Sequence, residues 1–195
     1  PDRAGEAAAP GGVICETARW RLPAAILEHH GPCLAFALEE PRRINVWRNR
    51  LEGMQLAQGR WLQGLKDAVR EDAPDDRPVT LPDGSQRPLA DLRHLLSVEA
   101  GGKIGYATDI RDTPANRAAL RQLCAGARIL FIEASFRAAD ADLAWDRAHL
   151  TTTAAGEIAR ECGAQRIEPF HFSPRYDDCE DQLMAEVAAA FGGAR

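Results

Sequence analysis

The C-terminal part of the chain alternates strand-like and helix-like segments, and this alternation constrains the fold more than any other feature. Three segments are rich in apolar and β-branched residues, at 104–108, 129–132 and 167–170. Each is followed by a segment with apolar residues at helical spacing, at 114–124, 153–162 and 180–191. Such alternation favours a layered α/β architecture in which helices cover a sheet.

Local signals support the boundaries of these helices. Thr113 stands before Pro114, which predicts a capping side chain followed by proline at the first helical position. Thr153, four residues before Glu157, is predicted to cap the second helix, and Gly163 is predicted to end it.

The first half of the chain is less regular. We expect residues 1–12, rich in Ala, Gly and Pro, to form a flexible lead-in to a single domain over 13–195. Segments 13–26 and 33–39 are predicted as strands, 42–70 as two helices, and 79–89 as two short strands around a turn at Pro82-Asp83-Gly84.

Composition narrows the class of protein. The chain has 195 residues, 45% hydrophobic and 27% charged, which is typical of a soluble globular domain. It has no apolar run near the roughly 20 residues of a membrane helix, so we expect a cytoplasmic protein without membrane contact. The net charge of −5 means that any contact with nucleic acid must be local.

Several polar side chains that suit catalysis follow predicted strands. Asp109, Glu133 and His171 stand at the C-terminal ends of three strands, and His149 precedes a helix. Because these strand ends meet at one edge of an α/β sheet, we expect the four side chains to converge. Taken singly each has an ordinary alternative: Asp109 a strand-end cap, His171 a core histidine, and Glu133 half of a buried ion pair.

Five segments, in this order, resemble the motifs of a known family: LEHHGPCLAFALEE, KIGYATDIRDT, ILFIEASF, RAHLTTTAAGEIA and RIEPFHFSPRYDD. Together they resemble the metallo-β-lactamase superfamily, and most closely the C-terminal half of ribonuclease Z, the endonuclease that processes the 3′ end of precursor tRNA. An ordered set of five motifs is far more specific than any one of them. The resemblance implies part of a four-layer αββα sandwich, with the N-terminal half of the fold missing.

The resemblance also implies roles for individual residues. Two Zn²⁺ ions are expected, with Asp109 bridging them, His29 on one and His171 on the other. Glu133 would orient His149, which would act as a catalytic acid on the phosphodiester. Arg175 is either a phosphate contact or a residue that locks its own loop, and the sequence does not separate these two interpretations. A lone loop histidine is the ordinary alternative for His29.

The chain also departs from the family pattern. Thr108 and Ile110 flank Asp109 where the family has glycine and threonine, Ile132 stands at the histidine of the "HEAT" motif, and Leu150 at the serine of "HST". No His-x-His occurs, so the "HxHxDH" signature that supplies most ligands is absent from this chain. Since a catalytic zinc ion needs about three protein ligands, we expect the chain to be inactive without that signature.

These residues leave two functions open. The first is a zinc-dependent hydrolase resembling ribonuclease Z, acting on precursor tRNA or on another phosphodiester or ester. It would work as a homodimer or be completed by an N-terminal half. The alternative is a non-catalytic or degenerate partner or scaffold protein with the same fold.

Overall fold

The structure is a computed structural model that describes residues 9–193. These residues divide into two compact units, one formed by residues 9–41 with 102–193 and the other by Arg42–Gly101. The predicted single domain over 13–195 stays a prediction. Residues 1–8 of the predicted lead-in lie outside the described residues, whereas Pro10–Gly12 forms one 3-10 turn.

Within residues 9–193 the chain forms ten strands and seven α-helices. The strands are β1 Val13–Glu16, β2 Arg21–Glu28, β3 Pro32–Glu39, β4 Arg43–Val46, β5 Pro78–Thr80, β6 Gln86–Pro88, β7 Leu96–Glu99, β8 Lys103–Ala107, β9 Ile129–Glu133 and β10 Ile167–Phe170. The helices are α1 Arg48–Gly53, α2 Trp61–Arg70, α3 Leu89–Leu92, α4 Pro114–Leu123, α5 Ala141–Asp146, α6 Thr152–Glu161 and α7 Glu180–Gly192. The predicted α/β class is confirmed.

The first unit is built on a six-stranded sheet in the order β1-β2-β3-β8-β9-β10. Strands β1, β2, β3 and β8 pair antiparallel, whereas β8, β9 and β10 run parallel. The parallel register pairs Ala107 with Ile132, and Glu133 with Phe170. Strands β8, β9 and β10 therefore end at the same edge of the sheet.

One face of this sheet is buried under helices. Strands β2, β3, β8 and β9 turn small and medium apolar side chains inward, among them Ala35, Ala37, Ala107, Leu130 and Ile132. They pack in one core cluster with residues of α4, α6 and α7, including Leu120, Ala155, Ile158 and Val187. A sheet with one face on a core shows this alternation, because successive side chains point to opposite faces.

The opposite face of the same sheet carries large apolar side chains that are exposed in this chain. We call it the apolar sheet face, and it comprises Ile26, Leu34, Leu38, Ile104, Tyr106 and Phe131. Ile26 is 75% exposed, although a β-branched aliphatic residue in a central strand is ordinarily buried. Adjoining apolar residues across four strands are more than the scattered exposure of a typical monomer surface.

The second unit, residues 42–101, has a separate apolar core. Two antiparallel strand pairs, β4 with β7 and β5 with β6, are accompanied by α1, α2 and α3. Their fully buried side chains form one cluster, which includes Leu51, Leu65, Leu89, Leu92 and Leu95. The predicted turn at Pro82-Asp83-Gly84 joins β5 to β6, and Gly84 adopts a positive φ of 85° there.

Several local predictions need correction. The predicted strand over 13–26 is two strands, because Thr17 accepts hydrogen bonds from Arg19 and Trp20 and turns the chain between them. The predicted helical stretch at 42–70 begins instead with strand β4. Thr151, rather than Thr153, caps α6 by accepting from the Ala154 amide.

Other local predictions are confirmed. Thr113 caps α4 by accepting a hydrogen bond from the Asn116 amide, and Pro114 occupies the first turn. Gly163 follows α6 with a positive φ of 65°, a conformation that favours glycine. In the part of the chain that the structure describes, no helix combines the length and apolarity needed to cross a bilayer.

We predict that the apolar sheet face makes this chain self-associate when it is produced alone. Light scattering should give a mass above that of the monomer. Replacing the cross-strand neighbours Ile26 and Leu34 by Ile26→Lys with Leu34→Glu should lower that mass, because it breaks the apolar surface and pairs opposite charges.

The control is Val98→Lys, an apolar residue of similar exposure to Leu34 but located in the second unit. It should leave the association unchanged. A wild-type chain that remains a compact monomer at all concentrations would show that the exposed face does not need a partner.

Candidate functional site

Four side chains that suit metal binding or acid–base chemistry meet at the C-terminal edge of the parallel strands. Ligand atoms of Asp109, Glu133, His149 and His171 all lie within 4.8 Å of one another. Asp109 follows β8, Glu133 ends β9, His171 follows β10, and His149 lies between α5 and α6. The predicted convergence of these four residues is therefore what the structure shows.

The backbone at this edge is held in an unfavourable conformation. Asp109 and His171 have positive φ angles of 55° and 61°, and Ala148, next to His149, has one of 58°. Residues other than glycine seldom adopt this left-handed region, which costs on the order of 1 kcal/mol or more. Such conformations persist only where surrounding contacts enforce them, and they cluster at functional sites.

Glu133 is the buried centre of the site. Its side chain has no exposed surface. One oxygen accepts hydrogen bonds from the Ile110 amide at 2.9 Å and the Leu150 amide at 3.3 Å. The other lies 2.7 Å from His149 Nδ1 and 3.0 Å from the Ser135 hydroxyl. Because both oxygens are engaged, the geometry favours an orienting carboxylate over a metal ligand.

His149 is positioned by Glu133. Its Nδ1 faces the carboxylate, so Nδ1 carries a hydrogen and Nε2 is left for other contacts. The hydrogen bond that His149 donates to Glu133 raises the pKa of His149 above its usual value, and partial burial opposes this shift without cancelling it. The imidazole consequently keeps its proton to higher pH than a free histidine.

Asp109 and His171 form the exposed part of the site. His171 Nε2 lies 3.5 Å from an Asp109 carboxylate oxygen, and both side chains are about half exposed, at 47% and 45%. The backbone of His171 is fixed from below, because its carbonyl oxygen lies 2.8 Å from the Ser135 hydroxyl. Ser135 was not among the residues that the sequence singled out.

His29 lies beside the group of four and outside it. Its Nδ1 is 2.8 Å from the Ala148 carbonyl oxygen, so Nδ1 donates and Nε2 is available. Its ring centroid is 4.8 Å from that of His149. Its predicted role as a metal ligand stays a prediction.

Arg175 has contacts that fit the loop-locking interpretation. Its guanidinium lies 5.9 Å from the ring centroids of both Phe136 and Tyr176, and the Tyr176 hydroxyl donates to Asp140 at 2.5 Å. The side chain is nevertheless exposed, and it lines a cavity of about 380 Å³ beside His149. A phosphate contact by Arg175 stays a prediction.

Two further basic residues line the same cavity, His30 and Arg147. From sequence, His30 is expected to be an ordinary surface residue, and Arg147 is not singled out. A signal for both is present, since His30 adjoins His29 and Arg147 stands two residues before His149.

The side chains at this edge are of the types that bind zinc, but they are too few to complete two zinc sites. Imidazole nitrogens and a carboxylate are ligands that zinc accepts. Asp109 and His171 offer such atoms on an accessible edge, and His29 lies next to His149. A catalytic zinc ion takes about three protein ligands, so these residues do not complete two such sites.

The chain is similar in sequence to curated ribonucleases. No protein-family model matches it. It is 39% identical over 186 residues to ribonuclease Z of Deinococcus radiodurans, covering 94% of this chain and 54% of that protein. It is 32% identical over 185 residues to ribonuclease BN of Proteus mirabilis, covering 92% and 55%. The chain therefore spans about half the length of the curated relatives it matches.

A solved structure supports the fold. The metallo-β-lactamase fold protein YhfI of Bacillus subtilis superposes with a TM-score of 0.53 at 15% identity, covering 94% of this chain and 48% of that protein. At this identity the similarity concerns the fold alone. The fold predicted from the ordered motifs is thereby confirmed.

We predict that Glu133→Ala lowers the free energy of unfolding by about 3 kcal/mol, because it strands two buried backbone amides and an imidazole without an acceptor. Urea denaturation measures this loss. The matched control is Glu168→Ala on β10, whose partner Arg166 is exposed, and it should cost under about 1 kcal/mol. If both variants lost the same free energy of unfolding, the buried hydrogen bonds of Glu133 would not be the main stabilising contacts of the site.

Proposed function

This chain is a metallo-β-lactamase-fold protein that matches about half of ribonuclease Z, and we propose that it forms part of a zinc-dependent phosphodiesterase that processes the 3′ end of precursor tRNA. The observation that supports the proposal is that two carboxylate–imidazole pairs lie at one edge of the sheet. An exposed carboxylate–imidazole pair, Asp109 with His171, adjoins a buried one, Glu133 with His149.

The exposed pair suits metal binding. Asp109 and His171 would hold zinc together with His29, whose Nδ1 is already engaged by a carbonyl oxygen and whose Nε2 is open. A second contact of this kind on the far ring nitrogen is usual for metal-bound histidine, because it fixes the tautomer and the ring orientation. Zinc, when bound, supplies Lewis-acid stabilisation of phosphate charge and activates a water molecule.

The buried pair suits proton transfer. Glu133 holds His149 in one orientation and raises its pKa, so the imidazolium would persist to higher pH than in a free histidine. A positioned imidazolium can contact the phosphate and donate its Nε2 proton to the leaving oxygen of the cleaved bond. This division gives the two histidines different tasks, with His171 as a ligand and His149 as an acid.

The proposal needs ligands beyond this chain. Asp109, His171 and His29 are too few for two zinc ions at about three protein ligands each. We infer that the remaining ligands come from a segment carrying the "HxHxDH" signature, either joined to this chain or on a second one. The chain spans 54% of the Deinococcus relative, which leaves room for such a segment in a protein of that length.

The alternative, a scaffold without catalytic activity, is not favoured. A scaffold has no need of three left-handed residues around one edge, nor of a buried carboxylate turned toward an imidazole. The cytoplasmic location, the homodimer and the inactivity of the chain alone stay predictions.

We predict that the isolated chain binds zinc weakly and that His171→Ala or Asp109→Ala removes this binding, because each substitution deletes one of few ligands. Metal analysis after dialysis against micromolar zinc measures it. His94→Ala, a histidine of the second unit, is the control and should retain the wild-type content. Tight binding of two zinc ions by the chain alone would disprove the inference that further ligands are needed.

A second prediction concerns the complete protein, meaning this chain together with a segment that carries the missing signature. His149→Ala should lower kcat on precursor tRNA by about 10²–10⁴ and leave the zinc content unchanged, since it removes a proton donor and no ligand. Glu133→Gln should have a milder effect of the same kind, because the imidazole remains but loses its orienting charge.

His171→Ala serves as the contrast in that experiment and should lose zinc and turnover together. If His149→Ala also released the zinc, or if it left turnover unchanged, the proposed division between the two histidines would be wrong.

A further inference from the structure

The cavity beside His149 is lined by an unusual concentration of basic side chains. Its five basic members are His29, His30, Arg147, His149 and Arg175. Among residues 9–193, no Asp or Glu lines it. Its volume of about 380 Å³ lies in the lower range of small-ligand sites, and its lining suits an anion.

Arg147 lines this cavity, and its side chain takes no part in the hydrogen bonds and ion pairs of the site. It occupies the C-cap of α5, where its amide bonds to the Leu143 carbonyl and fixes its backbone. Its side chain is exposed, and it has no hydrogen bond or ion pair with any residue that the structure describes. The Arg175 guanidinium, by contrast, lies within cation–π distance of the Phe136 and Tyr176 rings, at 5.9 Å from each centroid.

Most other arginines of this unit within residues 9–193 form ion pairs with carboxylates. Arg117 contacts three carboxylates, and Arg137 bonds to Glu186. Asp146 is adjacent to Arg147 in sequence but forms no ion pair with it in the described chain. A guanidinium kept free at the mouth of a cavity is available for a charged ligand.

Apolar groups complete the lining. Phe136 and Leu143 contribute carbon surface to the same cavity that the basic groups line. A free phosphate ion has no apolar group that could pack against this surface. A nucleotide carries a phosphate together with the planar face of its base and the carbon atoms of its sugar. The combination therefore fits a nucleotide better than a bare anion.

We propose that this cavity binds one nucleotide of the RNA strand next to the cleaved bond, and that Arg147 contacts its phosphate and determines the affinity. The proposal rests on the proposed phosphodiesterase function. A guanidinium binds phosphate oxygens through two parallel hydrogen bonds, a geometry that lysine does not reproduce. Arg147 is thus a substrate-binding residue that acts beside the two carboxylate–imidazole pairs.

The test is a titration of the metal-depleted 195-residue chain with adenosine 5′-monophosphate, followed by amide chemical shifts. Arg147→Ala should raise the Kd about tenfold, the usual effect of losing a charge-assisted contact. Arg147→Lys should raise it by less. Arg128→Ala removes an exposed arginine before β9, at the opposite end of the strand from Glu133, and should leave the Kd within about twofold.

Inorganic phosphate is the second probe, and it should bind more weakly than the nucleotide. Equal affinities would overturn the nucleotide assignment and leave an adventitious ion only. An unchanged Kd in Arg147→Ala, or an equal change in Arg128→Ala, would overturn the role of Arg147.

This test separates the binding site from the proposed function, because it requires neither zinc nor turnover. If the complete protein fails to cut precursor tRNA while nucleotide binding depends on Arg147, the proposed function falls and the binding site remains. If tRNA is cut and Arg147→Ala changes neither the nucleotide Kd nor the KM, the function stands and this inference falls.

Discussion

The buried carboxylate of Glu133 is the interaction on which the site depends. A carboxylate without solvent contact is costly unless several donors surround it. This one accepts from two amides and an imidazole, and it shares the Ser135 hydroxyl with the His171 carbonyl oxygen. The donors come from three different segments: the turn after β8, the turn after β9 and the turn before α6. One buried group therefore fixes the positions of Asp109 and His149 relative to β9, which is why the site does not rely on flexible loops.

Close packing of α6 against α7 extends this fixed region. A side chain at Gly156 would meet the Val187 carbonyl oxygen at 2.6 Å, so only glycine lets the two helices approach this closely. The approach allows Glu186 of α7 to bond to the Thr152 hydroxyl at 2.5 Å and to the Ala138 amide at 3.1 Å. These bonds tie both ends of the segment that carries His149, so helix packing and site geometry are parts of one arrangement.

The sequence predicted the strands and helices that have strong hydrophobic periodicity. It did not predict features that depend on tertiary contacts. Strand β10 was predicted with its observed bounds, and the convergence of Asp109 and His171 followed from parallel strands alone. The left-handed conformation of these two residues has only a weak local signal, since Asp and His adopt it more often than most other residues but still uncommonly. Thr151 and Thr153 are equally plausible caps in sequence, and only the hydrogen bond from Ala154 distinguishes them. Arg147 is not singled out by the sequence because arginines are mostly exposed surface residues, and its only signal is its position two residues before His149.

The hydrogen bonds of the histidines explain how similar side chains can serve different chemistry. His29 and His149 both use Nδ1 as a donor, which turns Nε2 of each ring toward other partners. The acceptor of His29 is a neutral carbonyl oxygen, which fixes the tautomer and the orientation of the ring. The acceptor of His149 is a buried carboxylate, which does favour protonation and raises the pKa. A metal ligand must be neutral and an acid must be charged, so the identity of the group behind each ring is what favours the proposed division of roles.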